Sequence, residues 1–381
     1  MHPNRFVSAL AAAALVAAPL SAQGVARWRL IPEATFGSST DPNPAAELAD
    51  IRGFEVSKNG NVLVLDFKAQ NIKVFSPSGA FLKTIGRNGG GPGEFEQPNG
   101  FLRAPDGTIW VNDPANHRYS VRRDDGEYIR DVPSAMTSFG YIWDATFDAT
   151  GRLLSPVYVP ARPGVSAQSR LERRNMKTQH ADTLPTPNCA PANTRYPQWS
   201  GRSSHGGMMM PVPFIPSMPA LYDPMGFVWC AWGATYAIYR IGLEHGDTQQ
   251  VIRGSSAPVA VSAAERDSAV TNARKAFTQA QLDASIISAG DVPRTKPVII
   301  GLASDDDHNL WVRLTPAVSG HTRYDVFNQK GKEIATIDAP VAIASGPNIL
   351  VRGEYLWAVV RDADDIPAVV RFRVERRSTD Q

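Results

Sequence analysis

Short apolar runs recur along the chain, separated by turn-forming pairs. Val62-Leu63-Val64, Ile109-Trp110-Val111, Leu153-Leu154-Ser155, Val228-Trp229-Cys230, Leu310-Trp311-Val312 and Leu356-Trp357-Ala358 form one series. Runs of this length, rich in β-branched and aromatic residues and bounded by Gly, Asn and Asp, predict strands. Asn59-Gly60, Ser78-Gly79, Asp106-Gly107 and Asp125-Gly126 mark tight turns, because these pairs accept the positive φ of two-residue hairpins. Phe54, Asp66, Val74, Gly79 and Phe81 recur as Phe101, Asp113, Val121, Gly126 and Tyr128, each 47 residues later. Strand, turn, strand, loop, strand, turn, strand in about 45 residues describes one propeller blade.

The middle residues of the six runs are separated by 47, 44, 75, 82 and 46 residues. Six runs predict an all-β, six-bladed β-propeller, and the two long steps predict insertions rather than lost blades. The last unit offers three strands, ending at Ala368 to Val374. Trp28-Arg29-Leu30 is expected to supply its outer strand, since a ring closed by both chain ends hides its sheet edges.

The first insertion, about residues 185–216, is rich in Pro, Asn, Ser and Gly and contains Met208-Met209-Met210. No amphipathic period is visible, so it reads as a long loop over one face. The methionines either pack it down or line an adaptable site. The second, about residues 258–293, reads as a helix reaching about Ser288. Ser262 and Glu265 fit a capping box, and Val270, Ala273, Phe277, Ala280 and Ala284 form one apolar stripe.

Ile85-Gly86, the run Gly89 to Phe95 and Pro98-Asn99-Gly100 resemble the link between successive NHL repeats. Asp113-Pro114-Ala115-Asn116-His117-Arg118 is similar to the D-x-x-N-H-R segment of that repeat, and Asp66 to Val74 is a weaker copy. The resemblance covers about residues 50–131. It implies a binding or interaction module, or a propeller enzyme of lactonase-like hydrolase or lyase type.

His2 and Arg5 precede an apolar run from Phe6 to Leu20, followed by Ser21 and Ala22. Basic start, apolar middle and small-residue exit read as a signal peptide over residues 1–22, giving a periplasmic or secreted protein with no membrane anchor. With 39 basic and 37 acidic residues, the balance gives no invitation to nucleic acid. Cys189 and Cys230 are candidates for a disulfide in an oxidising compartment. The chain is expected to be monomeric, with an unidentified protein, peptide or small molecule as partner.

Aligning the inner strands gives a channel column of Arg52, Asn99, Trp143, Met218, Ile300 and Pro347, with Asp144 one place further. Arg52, Asn99, Trp143 and Asp144 form the candidate ligand site. Together they offer a guanidinium fork, an amide, an indole and a carboxylate. The alternative is that Arg52 pairs with Asp50 or Asp144 and fills the channel. No histidine falls in this column, so no zinc triad is expected. Asn99 and Asp144 suit calcium only in part, and no cofactor is predicted. Asp305-Asp306-Asp307-His308-Asn309 reads as a solvated turn.

Overall fold

A computed structural model describes residues 24–134, 142–159, 168–192, 194, 196–203 and 206–376. The expected signal segment and His205 lie outside the described residues. Six four-stranded antiparallel blades form a propeller. Their inner strands are Ile51–Val56, Gly100–Arg103, Thr146–Phe147, Ala220–Asp223, Ile299–Ser304 and Leu350–Arg352. The six apolar runs all lie in second strands, such as Val62–Asp66 of blade 1 and Leu310–Leu314 of blade 5.

These second strands are apolar because both of their faces are covered. One apolar cluster fills each of the six seams between blades. Leu63, Val74, Phe101 and Val111 pack between blades 1 and 2, and Phe36, Phe54, Trp357 and Val369 between blades 6 and 1. Apolar surface removed from water in every seam is the main force holding the ring.

The ring closes as the incomplete last repeat requires. Ala26–Phe36 is the outer strand of blade 6, with Trp28 opposite Arg376, Leu30 opposite Val374 and Ile31 opposite Arg373. Its first residues also pair in parallel with Glu333–Ala339, which joins blades 5 and 6 into one eight-stranded sheet.

The link between blades 1 and 2 is organised by the Asp113 to Arg118 segment. Asp113 is fully buried and accepts from Glu96 N at 2.8 Å and Asn116 Nδ2 at 2.8 Å. Arg118 donates to the carbonyls of Gly90, Gly91 and Glu94 and to Asp131. Arg122 lies 4.4 Å above the Phe95 ring and donates to Gly93 O at 2.9 Å. The motif that carries the family resemblance therefore builds the seam.

The insertions differ from the sequence reading in two respects. Part of the first insertion is not a loop but a pair of strands, Gln198–Ser203 against Gly206–Pro211. The helix α1 (Ala263–Gln279) ends nine residues before Ser288. Leu282 N donates to Phe277 O and Gln281 N to Thr278 O, with Gln281 left-handed at φ 56°. This is a Schellman stop, stapled by buried Phe277 and Leu282. The capping box at Ser262 and Glu265 is present. Strand pair and helix share one small core of Trp199, Val270, Ala273, Phe277 and Leu282, with Met208 and Met210 packed against it. The two insertions, which lengthen their repeat steps to 75 and 82 residues, thus fold as one cap.

Candidate functional site: a charged cavity at the turn end of the channel

Where the inner strands run into their hairpin turns, three charged residues from three blades interlock. Glu55, 8 % exposed, is the penultimate residue of the inner strand of blade 1. Its Oε2 accepts from Arg103 Nε of blade 2 at 3.0 Å and from Arg352 Nη2 of blade 6 at 3.0 Å. The neighbouring carbonyl of Val56 accepts from both guanidiniums, also at 3.0 Å. Arg103 reaches on to Asp124 at 2.6 Å. Burial works against its charge, but the Glu55 and Asp124 carboxylates outweigh it and hold the Arg103 pKa above the usual guanidinium range.

Val56, Arg103 and Arg352 border a cavity of about 700 Å³, also lined by Lys58, Asp106, Asp148 and Trp357. That volume suits a small molecule or the end of a peptide. The two lining carboxylates are engaged locally. Asp106 accepts from Thr108 N and Oγ1, and Asp148 from Thr150 and Arg152. Burial raises the Asp148 pKa, but these hydrogen bonds outweigh it and leave the carboxyl below its ordinary range. Unused donors remain. The exposed Lys58 ammonium, above the Gly107 turn, makes no hydrogen bond or ion pair with the described residues. Arg352 uses Nη1 and Nη2 once each in its bonds to Val56 and Glu55, leaving Nε–H and two further N–H groups. Trp357 is 6 % exposed, and its Nε1 has no acceptor. The free donors of Lys58 and Arg352, set against one open acceptor at Asp106 Oδ2, favour a ligand rich in acceptors, above all a carboxylate.

The residues picked from the inner column occupy different settings. Arg52 forms a two-point pair with Asp50, at 3.0 and 2.9 Å, and covers the Phe67 ring at 4.5 Å. Asn99 is fully buried and accepts from Asn112 Nδ2 at 2.9 Å. Its carbonyl takes the Trp143 N–H at 2.9 Å, which ties blade 2 to blade 3. Trp143 is buried and stacked on Tyr119 at 5.2 Å. Of the four, Asp144 has its carboxylate in contact with solvent and unpaired. Protein crowds this wet site, and the desolvation raises the Asp144 pKa. Burial, and then the Asp144 charge, raise the pKa of Tyr222.

Sequence reasoning missed Glu55, Lys58, Arg103 and Arg352. The available signal was positional: Arg103 and Arg352 each end an inner strand. Among the described residues, no three His, Cys, Asp or Glu side chains gather as metal ligands. His117 and His308 take left-handed turn positions at φ 51° and 57°. Asp305 accepts from Asp307 N, Asn309 N and Trp311 Nε1, which folds the acidic turn on itself. Met209 is 72 % exposed beside its two packed neighbours. Cys189 is disulfide-bonded to Cys230.

A family model described as a 6-bladed beta-propeller matches residues 45–118. The chain has the six-bladed propeller fold. Comparison with curated proteins finds no match. Similar solved structures include a protein described as exported from Bacteroides fragilis, 13 % identical, covering 95 % of this chain and 98 % of that one, with a TM-score of 0.48. Virginiamycin B lyase from Staphylococcus aureus is 12 % identical, with 85 % and 94 % coverage and a TM-score of 0.43. A gluconolactonase from Xanthomonas campestris is 10 % identical, with 91 % and 97 % coverage and a TM-score of 0.45. No helix among the described residues is long and apolar enough to cross a membrane.

Proposed function

We propose that this NHL-like propeller is an exported binding module that takes a carboxylate-bearing small molecule or peptide end at the turn end of its channel. The observation that carries the reading is the set of unused donors, Lys58 Nζ and the free N–H groups of Arg352, on one cavity of about 700 Å³. Export rests on the basic, apolar, small-residue order of residues 1–22.

Calorimetric titration with small mono-, di- and tricarboxylates, and with their amides, tests it. The carboxylates bind and the matched amides do not. Lys58→Ala weakens binding about tenfold, the usual worth of one charge-assisted contact. Lys58 is exposed and unpaired, so this variant keeps the fold. Equal behaviour of acids and amides, or unchanged affinity in Lys58→Ala, contradicts the reading.

A second reading is enzymatic, of hydrolase or lyase type, and rests on Asp144. An unpaired channel carboxyl with a raised pKa is suited to general acid–base work. Turnover of lactone or cyclic ester substrates that is lost in Asp144→Asn supports it, and turnover unchanged in that variant removes it.

A further inference from the structure

A second depression lies at the outer edge of the seam between blades 3 and 4. It has a volume of about 470 Å³ and shares no lining residue with the charged cavity. Trp232 follows the second strand of blade 4, Tyr239 stands in the third strand, Ala237–Gly242, and Thr248 begins the outer one, Thr248–Arg253. The opposite wall is the segment from Asn188 to Pro191. That wall is covalently pinned. Cys189 is bonded to Cys230, which is fully buried and directly opposite Tyr239 across the sheet. Side chains of directly opposed residues stand on the same face, so the disulfide is rooted beside the Tyr239 ring. Cys189 N also donates to Met218 Sδ at 3.2 Å.

The lining combines aromatic faces with neutral polar groups and contains no charged side chain. Trp232 meets Tyr196 edge-on, at 5.9 Å and 78°, and Tyr196 is 51 % exposed. Trp232 itself is half-buried, so part of its ring reaches solvent. Asn188 Oδ1 accepts from Ala190 N at 3.1 Å, while its amide N–H groups have no partner among the described residues. The same holds for Trp232 Nε1, the Tyr239 hydroxyl and the Thr248 hydroxyl. Hydroxyls both donate and accept.

We propose that this disulfide-walled depression binds a neutral saccharide, one ring stacked on an aromatic face and its hydroxyls bonded to Asn188, Tyr239 and Thr248. The chemistry matches on both counts. A sugar ring presents an apolar C–H face to an aromatic ring and a rim of groups that donate and accept. A proline-rich peptide offers acceptors to the Trp232 and Asn188 donors, but its prolines offer no N–H to the hydroxyl oxygens. The absence of charge in the lining disfavours ionic ligands. This site is separate from the charged cavity and does not depend on what that cavity binds.

Calorimetric titration of the mature, oxidised protein with maltohexaose, cellohexaose and chitohexaose tests the proposal. At least one binds saturably in the millimolar range or tighter. Trp232→Ala weakens it at least about tenfold, or about 1.4 kcal/mol. Thr248→Arg, at an exposed position that leaves the seam intact, blocks it as well, and reduction of the disulfide weakens it. Lys58→Ala leaves it unchanged. Failure of all three oligosaccharides to bind overturns the proposal. So does binding that survives both Trp232→Ala and Thr248→Arg. Binding of decaproline through Trp232, with no saccharide bound, overturns it in favour of a peptide site.

Discussion

Glu55 and Arg352 stand 297 residues apart in the sequence and meet at 3.0 Å across the seam where the ring closes. The same carboxylate oxygen holds Arg103 on the other side, so one buried anion fastens blade 1 to both of its neighbours. Breaking a buried pair by removing one partner costs more than the pair contributes, because the remaining charge is stranded. Both guanidiniums keep some solvent contact, 19 % and 29 % of their side chains, which reduces that cost. Glu55→Ala should destabilise the protein by about 2–4 kcal/mol. Arg352→Ala should cost less, since Glu55 retains Arg103. Urea unfolding of the two variants checks the order, and a larger loss in Arg352→Ala contradicts it.

Asp144 predicts a pH dependence with a definite sign. Its folded pKa lies above the ordinary value of 3.8. Between those two values the folded state binds the proton more tightly than the unfolded chain, so stability falls as pH rises through that window. In Asp144→Asn this contribution disappears. The stability of the variant relative to the parent should therefore increase from about pH 3 to about pH 7. A difference that stays flat across this range means that the carboxyl is not desolvated when folded.

The cap is expected to respond as a unit. Ser262→Ala removes the side chain that accepts from Glu265 N at 3.2 Å. It should cost about 1 kcal/mol, the usual worth of an N-cap. Phe277→Ala hollows the shared core of strand pair and helix and should cost about 3–5 kcal/mol. Hydrogen exchange should rise in both strands of the pair as well as in α1. Protection of the strand pair unchanged by Phe277→Ala would mean that the two insertions are independent.

Most of the architecture is legible in the sequence because seams demand it. A strand covered on both faces must be apolar throughout, and a Gly at a positive-φ turn cannot easily be replaced. Those two requirements expose the six runs and the turns at Gly60, Gly79, Gly107 and Gly126, with φ of 83°, 96°, 86° and 87°. Closure was legible from one missing strand. The strand pair was not, because Gly206-Gly207-Met208-Met209-Met210 lacks β-branched residues and gains its order from packing on α1. Trp143 illustrates the limit at the site. Its place in the inner column suggested a face for a ligand, yet the ring is taken up by Tyr119 in the seam. Glu55, Arg103 and Arg352 are ordinary surface-type residues in the sequence, and only the ring brings them together.

The most direct test of the carboxylate-binding reading is the indole N–H resonance of Trp357 in a ¹H–¹⁵N correlation spectrum. Trp357 lines the cavity, and its Nε1 has no protein acceptor. Titration with citrate should shift this resonance along a saturable curve, with the Trp232 indole unmoved. The midpoint of the curve should rise about tenfold in Lys58→Ala, and the shift should be absent with the triamide of citrate. A Trp357 resonance that stays fixed through the citrate titration, or that moves equally with the triamide, contradicts the assignment of the cavity as a carboxylate site.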